Sequence, residues 1–548
     1  MAAISMKKIS KQMWISFLAV LLLVSGIVLP AKGQAQTQLT GFEDIEGHWG
    51  EPFIVSLQLA GILEMPEDKK FRPDQPVTRL DFAVWVAKGM ELAAEQPTET
   101  PFQDWERIPE KDRGYVYAAV KEGLINGFPD GTFRPSATIT RAQLATIFGR
   151  ALVKIGVKED TRYFAAFADP QAIPEWAAPA SADVKEQIIL GRAGVGRQAY
   201  FAPGATSSRA EAATMVSRFL NKRVELLGIE IPRVGEFVRP KRLVASYYVN
   251  TDEAFAVLQE YGDQLDMLIY TGYVIGTDGT LHGNDSPRTM SWAAETNTPL
   301  LVMFGNHNTA ENHEFLSNPA ARATAINNIK RLMERGYAGV NLDFEMLKNE
   351  DRDLYSSFVA EVANALKPMN RLTTVAVMAR TARQAATWAK DFDYNAIGRS
   401  ADYVMVMTYD QHWNGSEPGP IGGKDWMIEV MDYATQEIAK EKLLLGIPSY
   451  GRAWPLNGNP ATSITAKRAE ELIRIKGASP VYNPVTAEIS FNYVDDEGQP
   501  RIAYYTDARG LQEKLKLIED LDLGGMAMWR LGYETPDWWQ VIRQTFGN

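Results

Sequence analysis

The sequence predicts an α/β chain: a (β/α)8 barrel preceded by a mainly helical bundle of three repeated modules. Three observations point there. In residues 241–548, a stretch of 308 residues, eight short apolar runs alternate with helical stretches, where a typical barrel takes about 250 residues. Residues 40 to about 222 repeat one pattern three times. One barrel run, Gly339-Val340-Asn341-Leu342-Asp343-Phe344-Glu345, alternates apolar and polar residues within a sheet expected to be apolar on both faces.

The chain starts with Lys7, Lys8 and Lys11, an apolar run over 13–29, and then Ala31-Lys32-Gly33-Gln34-Ala35. A basic segment, an apolar segment and small residues read as an export signal over residues 1–35. The competing reading is a retained anchor, because the run approaches the ~18 residues that could span a membrane. No later stretch is apolar enough to span, so no stable membrane span is expected after cleavage.

The three modules are placed at 40–98, 101–157 and 165–222. Phe42-Glu43-Asp44, Phe102-Gln103-Asp104 and Phe167-Ala168-Asp169 open them. Phe71-Arg72-Pro73, Phe133-Arg134-Pro135 and Phe201-Ala202-Pro203 recur later, 62 and 68 residues apart. Each is followed by a tetrad: Thr78-Arg79-Leu80-Asp81, Thr140-Arg141-Ala142-Gln143 and Ser208-Arg209-Ala210-Glu211. Thr or Ser with an acid or amide three residues on is a capping box at a helix start. The box does not account for the arginine, since a cation in the first turn opposes the helix dipole by a few tenths of a kcal/mol. Arg79, Arg141 and Arg209 are therefore expected to meet an anion, Arg209 with the least support. The units resemble S-layer homology modules, the second most closely through Phe128-Pro129-Asp130-Gly131. The resemblance implies a bundle that binds the anionic secondary polymer of a Gram-positive cell wall. The third copy is degenerate, with Gly191-Arg192-Ala193-Gly194-Val195-Gly196 in place of the second copy's turn. A linker over 223–240 is expected to follow.

The barrel strands are placed at 243–249, 267–273, 300–304, 339–345, 372–378, 403–409, 443–447 and 525–529. The surplus length falls between the last two, an insertion of about 453–510 containing a hairpin over 489–505 that turns at Asp495-Asp496-Glu497-Gly498. Side chains alternate along a strand, so Val340, Leu342 and Phe344 share one face, and Asn341, Asp343 and Glu345 the other. An amide and two carboxylates in one buried file are costly unless they do chemistry. The C-terminal strand ends are where such barrels react. Glu345, Met407-Thr408-Tyr409-Asp410 and Trp529 all fall at such ends.

These residues resemble family-18 glycoside hydrolases, whose catalytic strand reads D-x-x-D-x-D-x-E. Asp343 and Glu345 match the last two acids; Ala338 and Asn341 stand at the first two. The Asn is similar to a branch that includes spore-cortex-lytic glycosidases, and 303–306 lacks the serine-glycine pattern of chitinases. The resemblance implies a substrate-assisted mechanism, outside the usual two-carboxylate scheme. In it Glu345 is the general acid, Asp343 orients and polarises the substrate's N-acetyl group, and Tyr409 hydrogen-bonds the acetyl oxygen. Trp529 stacks beneath the sugar, while Asn341, Met407 and Asp410 line the substrate. Burial and the Asp343 charge are expected to keep Glu345 protonated.

No metal or organic cofactor is implied. The chain has no cysteine, and its five histidines show no paired ligand spacing. A net charge of −11 argues against a nucleic-acid partner. The expectation is a secreted, wall-anchored retaining glycosidase cutting β-1,4 bonds beside N-acetylglucosamine, in either peptidoglycan or chitin. Two rivals are a catalytically inactive glycan-binding barrel and a structural S-layer-associated protein.

Overall fold

The structure is a computed structural model that describes residues 42–157, 169–174, 200–227, 237, 239–382, 391–456, 458 and 460–547. The expected signal over 1–35, Phe167 and Ala168, the segment 191–196, and residues 228–236 of the expected linker lie outside them.

The N-terminal bundle contains helices α1 (Glu51–Leu59), α2 (Arg79–Gly89), α3 (Glu110–Lys121), α4 (Arg141–Lys154) and α5 (Arg209–Leu227). Capping boxes start α2 and α4 through Thr78 with Asp81 and Thr140 with Gln143. Ser208 and Glu211 bond reciprocally at the start of α5. The opening aspartates also act alike. Asp44 accepts the N–H groups of Phe71 and Arg72, Asp104 those of Phe133 and Arg134, and Asp169 those of Phe201 and Ala202. Arg72, Arg134 and Ala202 all have φ between 52° and 60°. In each copy the carboxylate thus secures a left-handed turn ahead of the capped helix. Phe82, Phe148 and Phe219, one from each tetrad helix, meet in the bundle core with ring centroids 5.2 and 5.3 Å apart.

The arginine of each tetrad reaches into the next unit. Arg79 Nε donates to the Phe133 carbonyl (2.9 Å), Arg141 Nε to Phe201 (2.5 Å) and Arg209 Nε to Phe71 (2.7 Å). The backbone N–H groups of the same arginines donate to Ala137, Ala205 and Gln75. The three units thereby close into a ring, first to second to third to first. This gives the arginines a structural role that capping-box spacing cannot reveal, because their partners lie 54 to 138 residues away in sequence.

The barrel comprises β1 (Leu243–Tyr248), β2 (Met267–Ile275), β4 (Leu300–Asn306), β5 (Gly339–Phe344), β6 (Leu372–Met378), β7 (Tyr403–Met407), β8 (Leu443–Pro448) and β14 (Gly525–Trp529). They pair in parallel in the order β1-β14-β8-β7-β6-β5-β4-β2, and β2 returns to β1, closing the sheet. A short β3 (Leu281–Gly283) lies antiparallel on β2. Val340, Leu342 and Phe344 pack outward against the helices, with Phe344 touching Phe315 and Phe358. The polar residues of β5 are left facing the barrel axis.

The expected hairpin is present as β12 (Glu488–Val494) and β13 (Pro500–Tyr505), with Gly498 at φ +78° in its turn. It belongs to a larger unit. With β9 (Tyr450–Pro455), β10 (Thr462–Thr465) and β11 (Val481–Asn483) it forms a five-stranded antiparallel sheet, so the extra structure begins at Tyr450, ahead of the expected 453. A buried ion pair, Lys514 Nζ to Glu488 Oε1 at 2.9 Å, fixes this unit. The same Glu488 accepts the N–H groups of Ile421 and Gly422 in the loop after β7.

Candidate active site

Asn341, Asp343 and Glu345 are each 3% exposed or less. Glu345 follows the last residue of β5 and so stands at the rim of the barrel mouth. Residues two apart on a strand have Cα atoms about 6.6 Å apart, which keeps the two carboxylates in mutual reach. The neighbouring strand approaches closely: a Cβ at Gly305 would come 2.1 Å from the Asp343 carbonyl oxygen.

The amide at 341 is fully engaged. Its Oδ1 accepts from the Tyr247 hydroxyl (3.0 Å) and its Nδ2 donates to Thr374 Oγ1 (2.9 Å). A neutral, satisfied group therefore sits where a carboxylate neighbour of Asp343 would otherwise be. Burial first, and the Glu345 charge second, raise the Asp343 carboxyl to about 7, while His307 pulls it down. The pair holds a proton near neutrality because two carboxylates this close and this dry resist ionising together.

His307 was not singled out from sequence. Its Nδ1 lies 3.5 Å from Glu345 Oε1, and its side chain is buried. Burial alone would lower this imidazole; the adjacent Glu345 carboxylate more than offsets that and raises it. Asn312 Nδ2 donates to the Glu345 carbonyl (2.6 Å) and to that of Asn306 (3.0 Å), tying the loop after β4 to the end of β5. The available signal was position alone, a histidine just past the third barrel strand.

Tyr409 stands two residues beyond β7 and is buried. Burial, with Tyr247 and Asp343 nearby, pushes its phenol well above the usual range, so it is a neutral donor. The Tyr409 hydroxyl and Asp343 Oδ1 have no protein hydrogen-bond partner among the described residues. Two buried polar atoms left in this state mark a place where a polar ligand completes the set. Met407 closes β7 and is buried. Trp529 closes β14; it is 4% exposed and its ring lies 5.0 Å from Tyr247. Asp410, at φ +55°, accepts from the Tyr450 hydroxyl (2.7 Å) and pairs with Arg452 Nη2 (2.6 Å). Arg452 thus holds Asp410 in place, and both its bonds fall on Oδ1.

At the bundle, Arg79 and Arg209 lie over aromatic rings, Arg79 over Phe128 and Arg209 over Phe71 and Trp85. Burial, then the adjacent Arg134, lower Arg79 to about 10. Arg209 Nη1 meets the Asp81 carboxylate at 2.6 Å. The structure therefore gathers Asn341, Asp343, Glu345, Tyr409 and Trp529 at one barrel mouth. The three arginines sit apart, one at each junction of the bundle.

The sequence profile of glycosyl hydrolases family 18 matches residues 244–534, and that of the S-layer homology domain matches 41–83 and 101–145. The chain belongs to glycosyl hydrolase family 18. It is 29% identical over 293 residues to the cortical fragment-lytic enzyme of Bacillus anthracis, covering 52% of this chain and 68% of that protein. An uncharacterized glycosylase, YvbX, of Bacillus subtilis is 26% identical over 313 residues, covering 55% of this chain and 91% of the other. Among solved structures, a chitinase from Chromobacterium violaceum superposes with a TM-score of 0.53 at 27% identity, over 56% of this chain and 99% of that one. The Bacillus megaterium spore cortex-lytic enzyme SleL gives 0.52 at 26% identity, over 56% and 75%. Two S-layer homology modules are matched; the third unit follows the same turn and capping geometry.

Proposed function

We propose that this family-18 hydrolase cuts β-1,4 bonds beside N-acetylglucosamine by substrate-assisted catalysis, in peptidoglycan-related glycan or chitin. The observation that carries the reading is the buried Asp343–Glu345 pair facing the unpartnered Tyr409 hydroxyl. In the proposed step Glu345 gives its proton to the glycosidic oxygen, and the bond from that oxygen to the anomeric carbon breaks. The acetamido oxygen of the same sugar bonds to the anomeric carbon, its N–H held by Asp343 and its oxygen by Tyr409. Glu345 then takes a proton from the water that opens this ring, so the configuration is retained. Trp529 supplies the floor of the sugar site, with Met407 beside it. Asn341 contributes by keeping Tyr247 and Thr374 in place. A conventional retaining site uses two carboxylates about 5–5.5 Å apart across the bond; the candidate for a second, Asp410, is paired with Arg452.

The cortex-lytic relatives and Asn341 favour peptidoglycan-related glycan. We read residues 1–35 as an export signal, residues 165–222 as a third S-layer homology module, and the bundle as the attachment to an anionic wall polymer of a Gram-positive-type cell. Arg79 and Arg141 are the principal contacts and Arg209 the weaker one. The groove at the junction between the third and first units is lined by Lys70, Arg72, Lys88, Lys111 and Arg209 together with Glu64, Asp81 and Asp112, so its cations are largely paired already. Digesting purified peptidoglycan and colloidal chitin in parallel, with mass spectrometry of the products, tests the reading. Absence of products bearing N-acetylglucosamine at the new reducing end from both substrates would overturn it.

A further inference from the structure

The bundle is seated on the catalytic side of the barrel. Gly61, just beyond α1, packs against the Asn250 carbonyl in the loop after β1. Phe53 of α1 meets His282 of β3 edge-on at 5.2 Å. Glu51, the first residue of α1, is close enough to feel the charge of Glu311, in the helix after β4. Helix α1 therefore passes the loops that follow the first, second and third barrel strands, all of them on the rim where Glu345 stands. The seat is fixed by buried polar contacts. Glu91, past the end of α2, accepts from Ser286 Oγ (2.7 Å) and the Arg288 N–H (3.2 Å) of the barrel and pairs with Arg223 of α5 (3.2 Å). Tyr115 of α3 donates to Asp252 (3.0 Å).

The N-terminal end of α1 is linked toward the acid through the loop after β4. Glu311 accepts from Asn306 Nδ2 (2.6 Å), and the next residue, His307, touches Glu345. One residue before the helix cap stands Trp49, 55% exposed. Among the described residues it is the one tryptophan more than a third exposed. Its neighbour His48, 5.4 Å away, is pinned through the Gly50 N–H (3.0 Å) and Asp74 (3.3 Å). An indole held open two residues along the chain from the Glu51 carboxyl, which accepts the Gly47 N–H (2.7 Å), is the chemistry that takes the apolar face of a pyranose ring. Burial and then the Glu311 charge hold Glu51 up at about 7, so this carboxyl can donate as well as accept.

We propose that Trp49, with Glu51 and Glu311, forms an outlying sugar subsite contributed by the anchoring bundle. It takes a distant residue of the same N-acetylated glycan strand that enters the barrel mouth. The occupant follows from continuity with that mouth through Glu311, Asn306 and His307. The inference rests on the proposed function and adds to it that the anchor helps select long strands.

The test uses the full chain with Trp49→Ala and Trp49→Phe, assayed on an N-acetylglucosamine trimer and octamer. The ratio of octamer to trimer kcat/KM is expected to fall roughly five- to tenfold in Trp49→Ala, the scale of one lost aromatic contact, and to recover in Trp49→Phe. An unchanged ratio overturns the subsite. So does loss of pelleting with cell walls at an unchanged ratio, which would assign the ring to the wall polymer instead. If the parent chain cuts neither oligomer nor the polymers, the proposed function itself fails. If it cuts both and the ratio stays put, the subsite alone fails.

Discussion

Replacing Asp343 by Asn should stabilise the protein while silencing it. The side chain is buried, and its carboxyl is raised from 3.8 to about 7. A raised acid binds its proton more tightly in the folded chain than in the unfolded one. Below about pH 4 both states are protonated and the residue costs nothing. Between about pH 4 and 7 the unfolded chain ionises while the folded chain does not, and stability drains away as pH rises. Above about 7 the full penalty is present, about 3 units at 1.36 kcal/mol each, or ~4 kcal/mol. Asn keeps the shape and carries no charge. Asp343→Asn should therefore match the wild type near pH 4 and exceed it by up to ~4 kcal/mol at pH 8, roughly 6 °C in melting temperature for a barrel of 308 residues. Urea and thermal melts at pH 4, 6 and 8 measure this directly. Turnover of an N-acetylated oligosaccharide should fall at least about a hundredfold in parallel, since a positioned proton-handling group contributes that much. A variant no more stable than wild type at pH 8, or a gain that does not shrink toward pH 4, would refute the reasoning.

Glu345→Gln keeps the side-chain shape and removes the proton, so hydrolysis should fall by ~10²–10⁴ with the melting temperature held; a loss of only a few-fold would remove Glu345 from the acid role. A thiazoline mimic of the cyclised acetamido group should inhibit strongly, and a deacetylated substrate should resist cleavage; inverted product by NMR would exclude the substrate's own oxygen as nucleophile. Arg79→Gln with Arg141→Gln retains donors for the Phe133 and Phe201 carbonyls but removes both charges. Pelleting with walls that keep their anionic polymer should then be lost while the bundle still melts cooperatively, and unchanged pelleting would show that these arginines serve the ring alone.

What the sequence revealed and what it withheld divides along contact range. The eight strands were legible because burial makes each a short apolar run, and the file on β5 because alternation sets three polar residues on one face. The capping boxes were legible because they span four residues. His307 escaped because nothing local distinguishes a histidine in a loop from one 3.5 Å from a buried carboxylate. The same holds for Tyr247, whose bond to Asn341 joins residues 94 apart. The insertion was read as a hairpin because the turn at Asp495-Asp496-Glu497-Gly498 marks β12 and β13, whereas β9 joins that hairpin through non-local pairing. The seating of the bundle on the barrel rests on single polar residues such as Glu91, which no periodicity marks.

Arg79 and Arg209 are alike in sequence yet differ in charge environment, and the difference follows the fourth tetrad residue of the unit each one reaches. Arg209 reaches the first unit, whose tetrad ends in Asp81, and the carboxylate neutralises it at 2.6 Å. Arg79 reaches the second, where Gln143 occupies the corresponding position and offers no charge. Its surroundings instead add Arg134, itself paired with Asp130 at 2.7 Å, and burial with Arg134 lowers the guanidinium to about 10 while Asp104 pulls it back up. An external anion would meet at Arg79 a guanidinium that no carboxylate of the described residues bonds directly. At the Arg209 junction the same anion would have to compete with Asp81. A duplicated residue thus closes the ring three times in the same way while its charge environment differs between copies, since Arg209 meets Asp81 and Arg79 meets no carboxylate among the described residues.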